Sequence, residues 1–171
     1  MASLRRVHLI GHSGAGKTTL GEDLIRVWRG RRLRVGAIKH TGHVHELDHQ
    51  GKDSWRLRES GAEPVAIVTQ DRLALHRRLR ADEDPYLLLA SHFADCDLLL
   101  IESHKDAADA LRLEVWRAVL GKSPLALGRE GVSALITDDP PPAGWTLPVW
   151  SRHDLGLLSE RILQALGLSA P

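Results

Sequence analysis

A glycine-rich segment near the start of the chain combines residue types that bind phosphate. Residues 11–18 read G-H-S-G-A-G-K-T, which fits the G-x-x-x-x-G-K-T pattern of the P-loop. Glycines let the backbone turn its N–H groups onto a phosphate chain. The pattern predicts that amides from Ser13 to Thr18 converge on a β-phosphate and that Lys17 reaches the β- and γ-phosphates. The Thr18 hydroxyl is then expected to bind Mg²⁺.

The segments on either side of this loop are those that a P-loop requires. Residues 5–10 form a short β-type run before it, and residues 18–28 follow with helical spacing, with Gly30 as the expected stop. A helix that begins at the loop adds about half a positive charge at its N-terminus. The local pattern therefore predicts strand, phosphate-binding loop and helix in that order.

A second apolar run supplies the carboxylate that a P-loop needs beside its metal ion. Residues 97–102 read D-L-L-L-I-E, typical of a strand buried on both faces of a parallel sheet. Glu102 ends this run at the carboxyl edge, where parallel sheets bind ligands, whereas Asp97 is expected in a turn at the other end. We predict Lys17 and Glu102 as catalytic residues and Thr18 and Glu102 as Mg²⁺-binding residues.

A polar segment follows the strand that is predicted at residues 33–38, the second strand along the chain. Its candidate ligand-binding residues include Lys39, His40, His43, His45, Asp48, His49, Lys52 and Asp53. Lys39, Lys52 and protonated His40 suit a second anion, and Asp48 or Asp53 could complete the Mg²⁺ shell. Two alternatives remain open. Asp53 could instead cap a helix that starts at Ser54, and the histidines could hold zinc or nickel or simply face solvent.

The rest of the chain alternates predicted strands with predicted helices. Strands are expected at residues 65–69, 73–77, 111–119, 132–137 and 147–150, and helices at 52–60, 85–94 and 155–166. This alternation implies a mostly parallel sheet with helices on both faces. The exception is an antiparallel hairpin within residues 65–78, which turns at Gln70-Asp71. We therefore predict one α/β domain over residues 1–171, with a P-loop NTPase fold and a hairpin insertion.

The composition of the chain restricts its function. A formal net charge of +1 over 171 residues gives no strong field to attract nucleic acid or an anionic membrane. Cys96 is the single cysteine, so neither an internal disulfide nor a thiolate zinc cage can form. No apolar run approaches a membrane span, and the N-terminal run is too short for a signal peptide. We expect a cytoplasmic protein.

Several motifs, taken in order, resemble one known family. They are G-H-S-G-A-G-K-T-T-L (11–20), R-V-G-A-I-K-H-T-G-H (34–43), D-H-Q-G-K-D-S-W-R (48–56), E-S-G-A-E-P-V-A-I-V (59–68), and the strand ending at Glu102 followed by Lys105. Together they resemble MobB, the adaptor GTPase family of molybdopterin-guanine dinucleotide biosynthesis. The similarity covers nearly the whole chain and is densest from residue 5 to about residue 70.

The resemblance implies a homodimer that binds GTP with Mg²⁺, hydrolyses it slowly and assists the guanylyltransferase that joins GMP to molybdopterin. On this chain, the resemblance implies that Thr18 and Glu102 bind Mg²⁺. The Lys39-His40 and Asp48-to-Asp53 segments would line a face where molybdopterin, its guanine dinucleotide or the transferase docks. The predicted triphosphate-binding residues of the loop are Ser13, Gly14, Ala15, Gly16, Lys17, Thr18 and Thr19.

The segment after Glu102 departs from the family pattern. The family usually continues with Gly-Phe-Lys, whereas this chain has Ser103-His104-Lys105. Losing the glycine removes easy access to positive φ, and replacing phenylalanine with histidine removes an apolar or stacking surface. Both changes concern the molybdopterin-facing role of this loop and leave the phosphate site unchanged.

Guanine specificity is weakly encoded, because no N-K-x-D element is present. Thr137-Asp138-Asp139 could present a carboxylate to the guanine N1–H and N2–H₂ donors, or could be a turn that leads into the prolines at 140–142.

Two other functions stay open. An ATP-dependent small-molecule kinase would need an arginine-rich lid, for which L-H-R-R-L-R at 75–80 is the candidate, although the alternation at 73–77 favours a strand. A metallochaperone would use the histidine-rich segment.

Overall fold

The computed structural model describes residues 5–42, 46–103 and 110–168 of the chain. His43, His45, His104 and Lys105 lie outside this part, so the expectations placed on them are not addressed by it. The chain divides into two compact units. The first comprises residues up to 41 together with those from 92 onward, and the second comprises residues 42–91.

The order of elements follows the predicted alternation of strands and helices. The described strands are β1 (Arg6–Ile10), β2 (Val35–Lys39), β3 (Val65–Val68), β4 (Leu73–His76), β5 (Leu98–Glu102), β6 (Leu111–Val115), β7 (Ala134–Ile136) and β8 (Val149–Trp150). The described α-helices are α1 (Lys17–Gly30), α2 (Asp53–Glu59), α3 (Pro85–Leu89) and α4 (Leu155–Ala165). None of these helices is long and apolar enough to cross a membrane.

A six-stranded sheet with the order β2-β5-β1-β6-β7-β8 forms the first unit. Every neighbouring pair in it is parallel, so the carboxyl ends of all six strands share one edge. Strands β3 and β4 form a separate antiparallel hairpin in the second unit. The predicted fold class is therefore confirmed: a mostly parallel sheet flanked by helices, with an antiparallel hairpin.

One face of the six-stranded sheet is covered by α1 and α4. Leu20, Leu24 and Trp28 of α1 and Leu158 and Ile162 of α4 are almost completely buried against alternate residues of the central strands. Burying one such side chain stabilises the fold by about 1.5–3 kcal/mol. This packing fixes α1, and with it the loop at the N-terminal end of α1.

The other face is covered by shorter segments. Gly36 on β2 leaves room for Phe93, because a Cβ at this position would lie 2.6 Å from the Phe93 ring. Glu114 on β6 is fully buried and accepts hydrogen bonds from the amides of Leu125 (2.7 Å) and Ala126 (2.9 Å), in the 3₁₀ helix Leu125–Gly128. The 3₁₀ helices Ala90–Phe93 and Leu125–Gly128 thus help to cover this face, and the second of them lies where no helix was predicted.

Several element boundaries differ from those predicted. The strand predicted at 111–119 ends at Val115, because the ladder with β7 closes when the Trp116 amide donates to the Ile136 carbonyl. The helix predicted at 85–94 changes to a 3₁₀ helix at Ala90. Gly30 is the last residue of α1, and the left-handed residue that follows the helix is Arg32 (φ 62°).

The second unit contains the hairpin and two short helices. Helix α2 begins at Asp53 and has Lys52 at its N-cap, so the interpretation of Asp53 as the cap of a helix from Ser54 is wrong. The hairpin turn is held by Thr69, whose Oγ1 accepts from the Arg72 amide at 2.9 Å. Strand β3 packs beside α2, and Val65 is buried.

Candidate phosphate-binding site

The backbone of residues 11–18 takes positive φ at three positions, and all three are glycines, which adopt this conformation at the lowest cost. Gly11 has φ 139°, and a Cβ there would lie 2.3 Å from the Val115 carbonyl oxygen. Gly16 is the N-cap of α1 and has φ 87°, in the left-handed region. Helix α1 begins directly after it, and the first amides of a helix have no carbonyl partner within the helix. The loop therefore directs N–H groups and the positive end of α1 at the same place.

Lys17 crosses this loop. Its side chain is 9% exposed, and Nζ donates to the carbonyl oxygens of Gly11 (3.0 Å) and His12 (2.8 Å). Among the other predicted residues, Ser13, Gly14, Thr18 and Thr19 are exposed, Gly16 is half-buried and Ala15 is buried. The loop thus presents an open surface with a buried ammonium group at its base.

Thr18 and Glu102 meet at the end of the central strands. Strands β1 and β5 are neighbours, and Glu102 is the last residue of β5. The Thr18 hydroxyl donates to Glu102 Oε2 at 2.8 Å, and the Glu102 side chain is only 15% exposed. Hydroxyl and carboxylate oxygens are the hard ligands that Mg²⁺ prefers. These two residues fit a magnesium ion, and together they would hold one.

Lys39 and His40 join this pair from the neighbouring strand. Lys39 lies opposite Glu102 in the β2–β5 register, and its Nζ donates to Glu102 Oε1 at 3.1 Å. The His40 amide donates to the Glu102 carbonyl at 3.0 Å. From the sequence, Lys39 was expected to bind a second anion, and its ion pair with Glu102 was not predicted. The available signal was that both residues end neighbouring apolar strands.

Ser103 adopts the backbone conformation that a glycine would favour at its position. Its φ is 74°, and its amide donates to the Leu9 carbonyl at 2.9 Å. A left-handed conformation costs a non-glycine residue about 1–2 kcal/mol. The turn after Glu102 therefore takes positive φ without the family's glycine, at a steric cost.

Three residues from later loops also approach the P-loop, Ser123 through its backbone and Leu120 and Arg152 through their side chains, and none was predicted from sequence. His12 Nε2 lies 3.0 Å from the Ser123 carbonyl oxygen. The Leu120 side chain lies 3.5 Å from the position of a Cβ on Gly14. Arg152, which follows β8, places Nη1 3.5 Å from the Ala15 carbonyl oxygen. The loops after β6 and β8 thus border the phosphate site.

The other three predicted residues belong to the second unit. Asp48 Oδ1 accepts from the His49 amide at 2.8 Å, Lys52 is the N-cap of α2, and Asp53 forms an ion pair with Arg56 at 3.8 Å. The part of the chain that the structure describes contains no group of three or more His, Cys, Asp or Glu side chains placed to hold a metal ion.

A strong ion pair fixes the segment before Asp48. Both Glu46 oxygens accept from Arg58, at 3.0 and 2.6 Å. The hydrogen bonds from Arg58 and from the Asp48 amide lower the pKa of Glu46 to about 2. Glu46 therefore stays charged at any physiological pH and anchors this segment to α2.

Comparison with known proteins gives one consistent family. The sequence profile of MobB, molybdopterin guanine dinucleotide synthesis protein B, matches residues 6–138. The molybdopterin-guanine dinucleotide biosynthesis adapter protein of Escherichia coli is 38% identical over 133 residues, which cover 75% of each chain. The adapter protein of Haemophilus influenzae is 40% identical over 101 residues, and the match spans 57% of this chain and 55% of that protein.

Solved structures give the same result. The crystal structure of Bacillus subtilis MobB superposes with a TM-score of 0.73 at 25% identity, covering 98% of this chain and all of that one. A crystal structure of molybdopterin-guanine biosynthesis protein B gives a TM-score of 0.69 at 25% identity, covering 94% and 99% of the two chains. By the matches to its sequence profile, its relatives and its structures, this chain belongs to the MobB family.

Proposed function

We propose that this protein is a GTP-binding adapter of molybdopterin guanine dinucleotide biosynthesis that assists the guanylyltransferase of that pathway. The proposal places the triphosphate on residues 13–19, with Mg²⁺ held by Thr18 and Glu102. The observation that carries it is the 2.8 Å hydrogen bond between Thr18 and Glu102 at the mouth of the P-loop. This contact joins a hydroxyl and a carboxylate beside the buried Lys17 ammonium, as metal-dependent phosphate binding needs.

We propose that the protein hydrolyses GTP slowly at most. When bound with a nucleotide, Mg²⁺ neutralises charge on the β- and γ-phosphate oxygens. Both Glu102 oxygens already accept hydrogen bonds, from Thr18 and from Lys39. Because the proposal assigns Glu102 to Mg²⁺, this carboxylate would not serve as the general base for the attacking water. The assignment of Glu102 to the metal thus supports an adapter over a fast GTPase.

Docking of molybdopterin, of its guanine dinucleotide or of the transferase is assigned to the polar segments. In the first unit these are Lys39 and His40, beside Glu102. In the second unit they are Asp48, Lys52 and Asp53, all of which are exposed or half-buried. Each segment by itself offers a lysine that suits a phosphate, and the carboxylates of Asp48 and Asp53 in the second unit suit hydrogen-bond donors of a ligand.

A homodimer is the assembly that we propose, and the hairpin is its contact. The cross-strand pairs Val68–Leu73 and Ala66–Leu75 place four apolar side chains on one face of the hairpin. Val68, Leu73 and Leu75 are 74%, 65% and 56% exposed. A contiguous apolar face of this kind marks an interaction surface, and an isolated two-stranded hairpin is itself only marginally stable.

Charging this face is expected to abolish the dimer. The double variant Val68→Glu, Leu73→Glu places two carboxylates on the apolar face, and burying them in an interface would cost several kcal/mol. In sedimentation velocity we expect the wild type to run as a dimer of the 18.9 kDa chain and the variant to run as a monomer. Val119→Glu, at an apolar residue of the first unit that is 77% exposed, should stay dimeric. A dimeric double variant would show that the hairpin is not the interface.

The kinase alternative loses support in the structure. The arginine-rich segment at 75–80 is partly the strand β4. Its Arg77 guanidinium donates to Glu83 at 2.6 Å, whereas Arg78 is held through its backbone amide, which donates to Glu63 at 2.6 Å. A lid would need the Arg77 guanidinium for phosphate, so the adapter is the better-supported function.

Calorimetric titration with GTP and with ATP, each with and without Mg²⁺, tests the proposal directly. We expect GTP to bind at least about tenfold more tightly than ATP. We also expect Mg²⁺ to tighten the binding, because Thr18 and Glu102 would hold the ion and its charge would offset that of the phosphates. Equal affinities, or a preference for ATP, would contradict the adapter and favour a kinase. Zinc or nickel retained in stoichiometric amounts through purification would favour a metallochaperone.

A further inference from the structure

Two loops that follow neighbouring strands line one cleft at the carboxyl edge of the sheet. Residues 137–140 follow β7, and residues 151–153 follow β8. From these loops, residues 137–140, Ser151 and His153 border a cleft of about 500 Å³ together with Val149. Parallel-sheet proteins bind ligands at this edge.

One carboxylate in the cleft is held firmly in place. Asp138 Oδ1 accepts hydrogen bonds from Ser151 Oγ (2.7 Å) and from the amides of Arg152 (2.9 Å) and His153 (3.3 Å). Partial burial raises the pKa of Asp138, but these hydrogen bonds outweigh it, so the pKa stays below its usual value and the group is charged at neutral pH. The other oxygen, Oδ2, lies 3.6 Å from His153 Nε2, which is within ion-pair distance of a protonated imidazole but beyond hydrogen-bond length, so its lone pairs can still accept from a ligand.

The turn that fixes Asp138 also touches the P-loop. Arg152 Nη1 lies 3.5 Å from the Ala15 carbonyl oxygen, and 3.0 Å from the position of a Cβ on Gly16. Along the sheet, β6 separates β1 from β7, so their ends are about 10 Å apart, or two strand spacings. A nucleotide can bridge that separation between its β-phosphate and its base.

We infer that Asp138 reads the base of the nucleotide on the P-loop and selects a purine that donates hydrogen bonds at N1 and at its C2 substituent. The inference rests on the proposed nucleotide binding and adds the residue that gives it specificity. Guanine has N1–H and N2–H₂ donors on this edge, whereas adenine has an acceptor at N1. An ionised carboxylate only accepts, so it pairs with guanine and repels adenine. Val149 and Pro140 supply apolar walls for the faces of the base.

Asp138→Asn is the variant that tests this assignment. The amide oxygen can keep the three hydrogen bonds that Oδ1 now accepts, which leaves an N–H₂ donor where Oδ2 stands. Xanthine carries a carbonyl at C2 where guanine carries an amine. We therefore expect the variant to lose at least about tenfold in affinity for GTP and to gain at least about tenfold for xanthosine triphosphate, measured by calorimetry.

Asp154 provides the matched control. Its Oδ1 accepts from the Leu157 amide at 2.9 Å as the N-cap of α4, and it is not among the residues that border the cleft. Asp154→Asn should keep the wild-type preference for GTP over xanthosine triphosphate, because asparagine caps a helix as well as aspartate does. A reversed preference in this control, or an unchanged preference in Asp138→Asn, would overturn the role of Asp138 while the proposed GTP binding stands.

A second test compares two nucleotides on the wild-type protein, so its result does not depend on whether a variant folds. Inosine triphosphate lacks only the C2 amine, so its affinity should be about tenfold lower than that of GTP. Equal affinities for the two would overturn the inference and leave the proposed function in place. If the wild type bound neither nucleotide, the proposed function itself would fail, and this assignment would fail with it.

Discussion

Replacing Lys17 with alanine should weaken nucleotide binding by between about tenfold and about a hundredfold. The Lys17 ammonium is almost buried at the base of the P-loop and is held by two carbonyl oxygens. When phosphate is present, the same ammonium can donate to its oxygens, and a hydrogen bond to a charged group is worth about 1.5–3 kcal/mol. Each 1.4 kcal/mol corresponds to about a factor of ten in affinity. Calorimetry with Mg²⁺-GTP measures the change.

The control for this variant is Lys122→Ala. Lys122 is exposed, and its contact with Trp116 uses the backbone carbonyl, which alanine keeps. Thermal unfolding of both variants shows whether the loop still folds once the Lys17 hydrogen bonds to Gly11 and His12 are removed. Wild-type affinity in a folded Lys17→Ala protein would refute the assignment of residues 11–18 as the phosphate-binding loop.

The elements around the phosphate loop could be predicted from sequence because their signals are local. The glycine pattern at 11–18 sits between an apolar run and a helical repeat, and β1 and α1 begin within one residue of the predicted positions. The apolar run before Glu102 likewise became β5. Some predicted boundaries differ from the observed ones, such as the end of β6 at Val115. Such a boundary depends on where the partner strand ends, which the local sequence does not encode.

The contacts within the site could be predicted only in part, because they depend on which strands are neighbours. Glu102 was placed at the carboxyl edge, but its ion pair with Lys39 requires β2 beside β5, a pairing between residues 63 positions apart. The hydrogen bond from Ser151 to Asp138 requires β8 beside β7. Arg152 belongs to no recognisable sequence motif. It reaches the P-loop because the turn after β8 places its side chain beside the Ala15 carbonyl oxygen.

The surroundings of Glu102 decide how this site would handle a metal ion. Its carboxylate accepts from one hydroxyl and one ammonium and is mostly shielded from water. A cation that binds Thr18 and Glu102 has to take the place of part of this arrangement. The Lys39 side chain, which is 68% exposed, can turn toward solvent, where water replaces Glu102 as the partner of its ammonium group.

Glu102→Gln should therefore preserve the fold and remove the dependence on Mg²⁺. Glutamine has nearly the same shape, and its amide oxygen can still accept from Thr18 or from Lys39. It carries no charge to hold a divalent cation, so we expect Mg²⁺ to stop tightening GTP binding. We also expect Mg²⁺-dependent phosphate release to fall by at least about tenfold, since the charge-assisted contact is worth about 1.5–3 kcal/mol. Titration of Mg²⁺ at fixed GTP, followed by phosphate release over hours, measures both.

The matched control for this variant lies at the other end of the same strand. Asp97 precedes β5 and accepts from the Arg34 amide at 2.6 Å, away from the P-loop, so Asp97→Asn should leave the Mg²⁺ dependence unchanged. If the Mg²⁺ titration of Glu102→Gln matched that of the wild type, the carboxylate would be only a structural partner of Thr18 and Lys39. If Asp97→Asn lost the dependence instead, the metal would lie at the opposite edge of the sheet. The carboxylate whose loss removes the response to Mg²⁺ thus identifies the edge of the sheet at which the metal and its nucleotide bind.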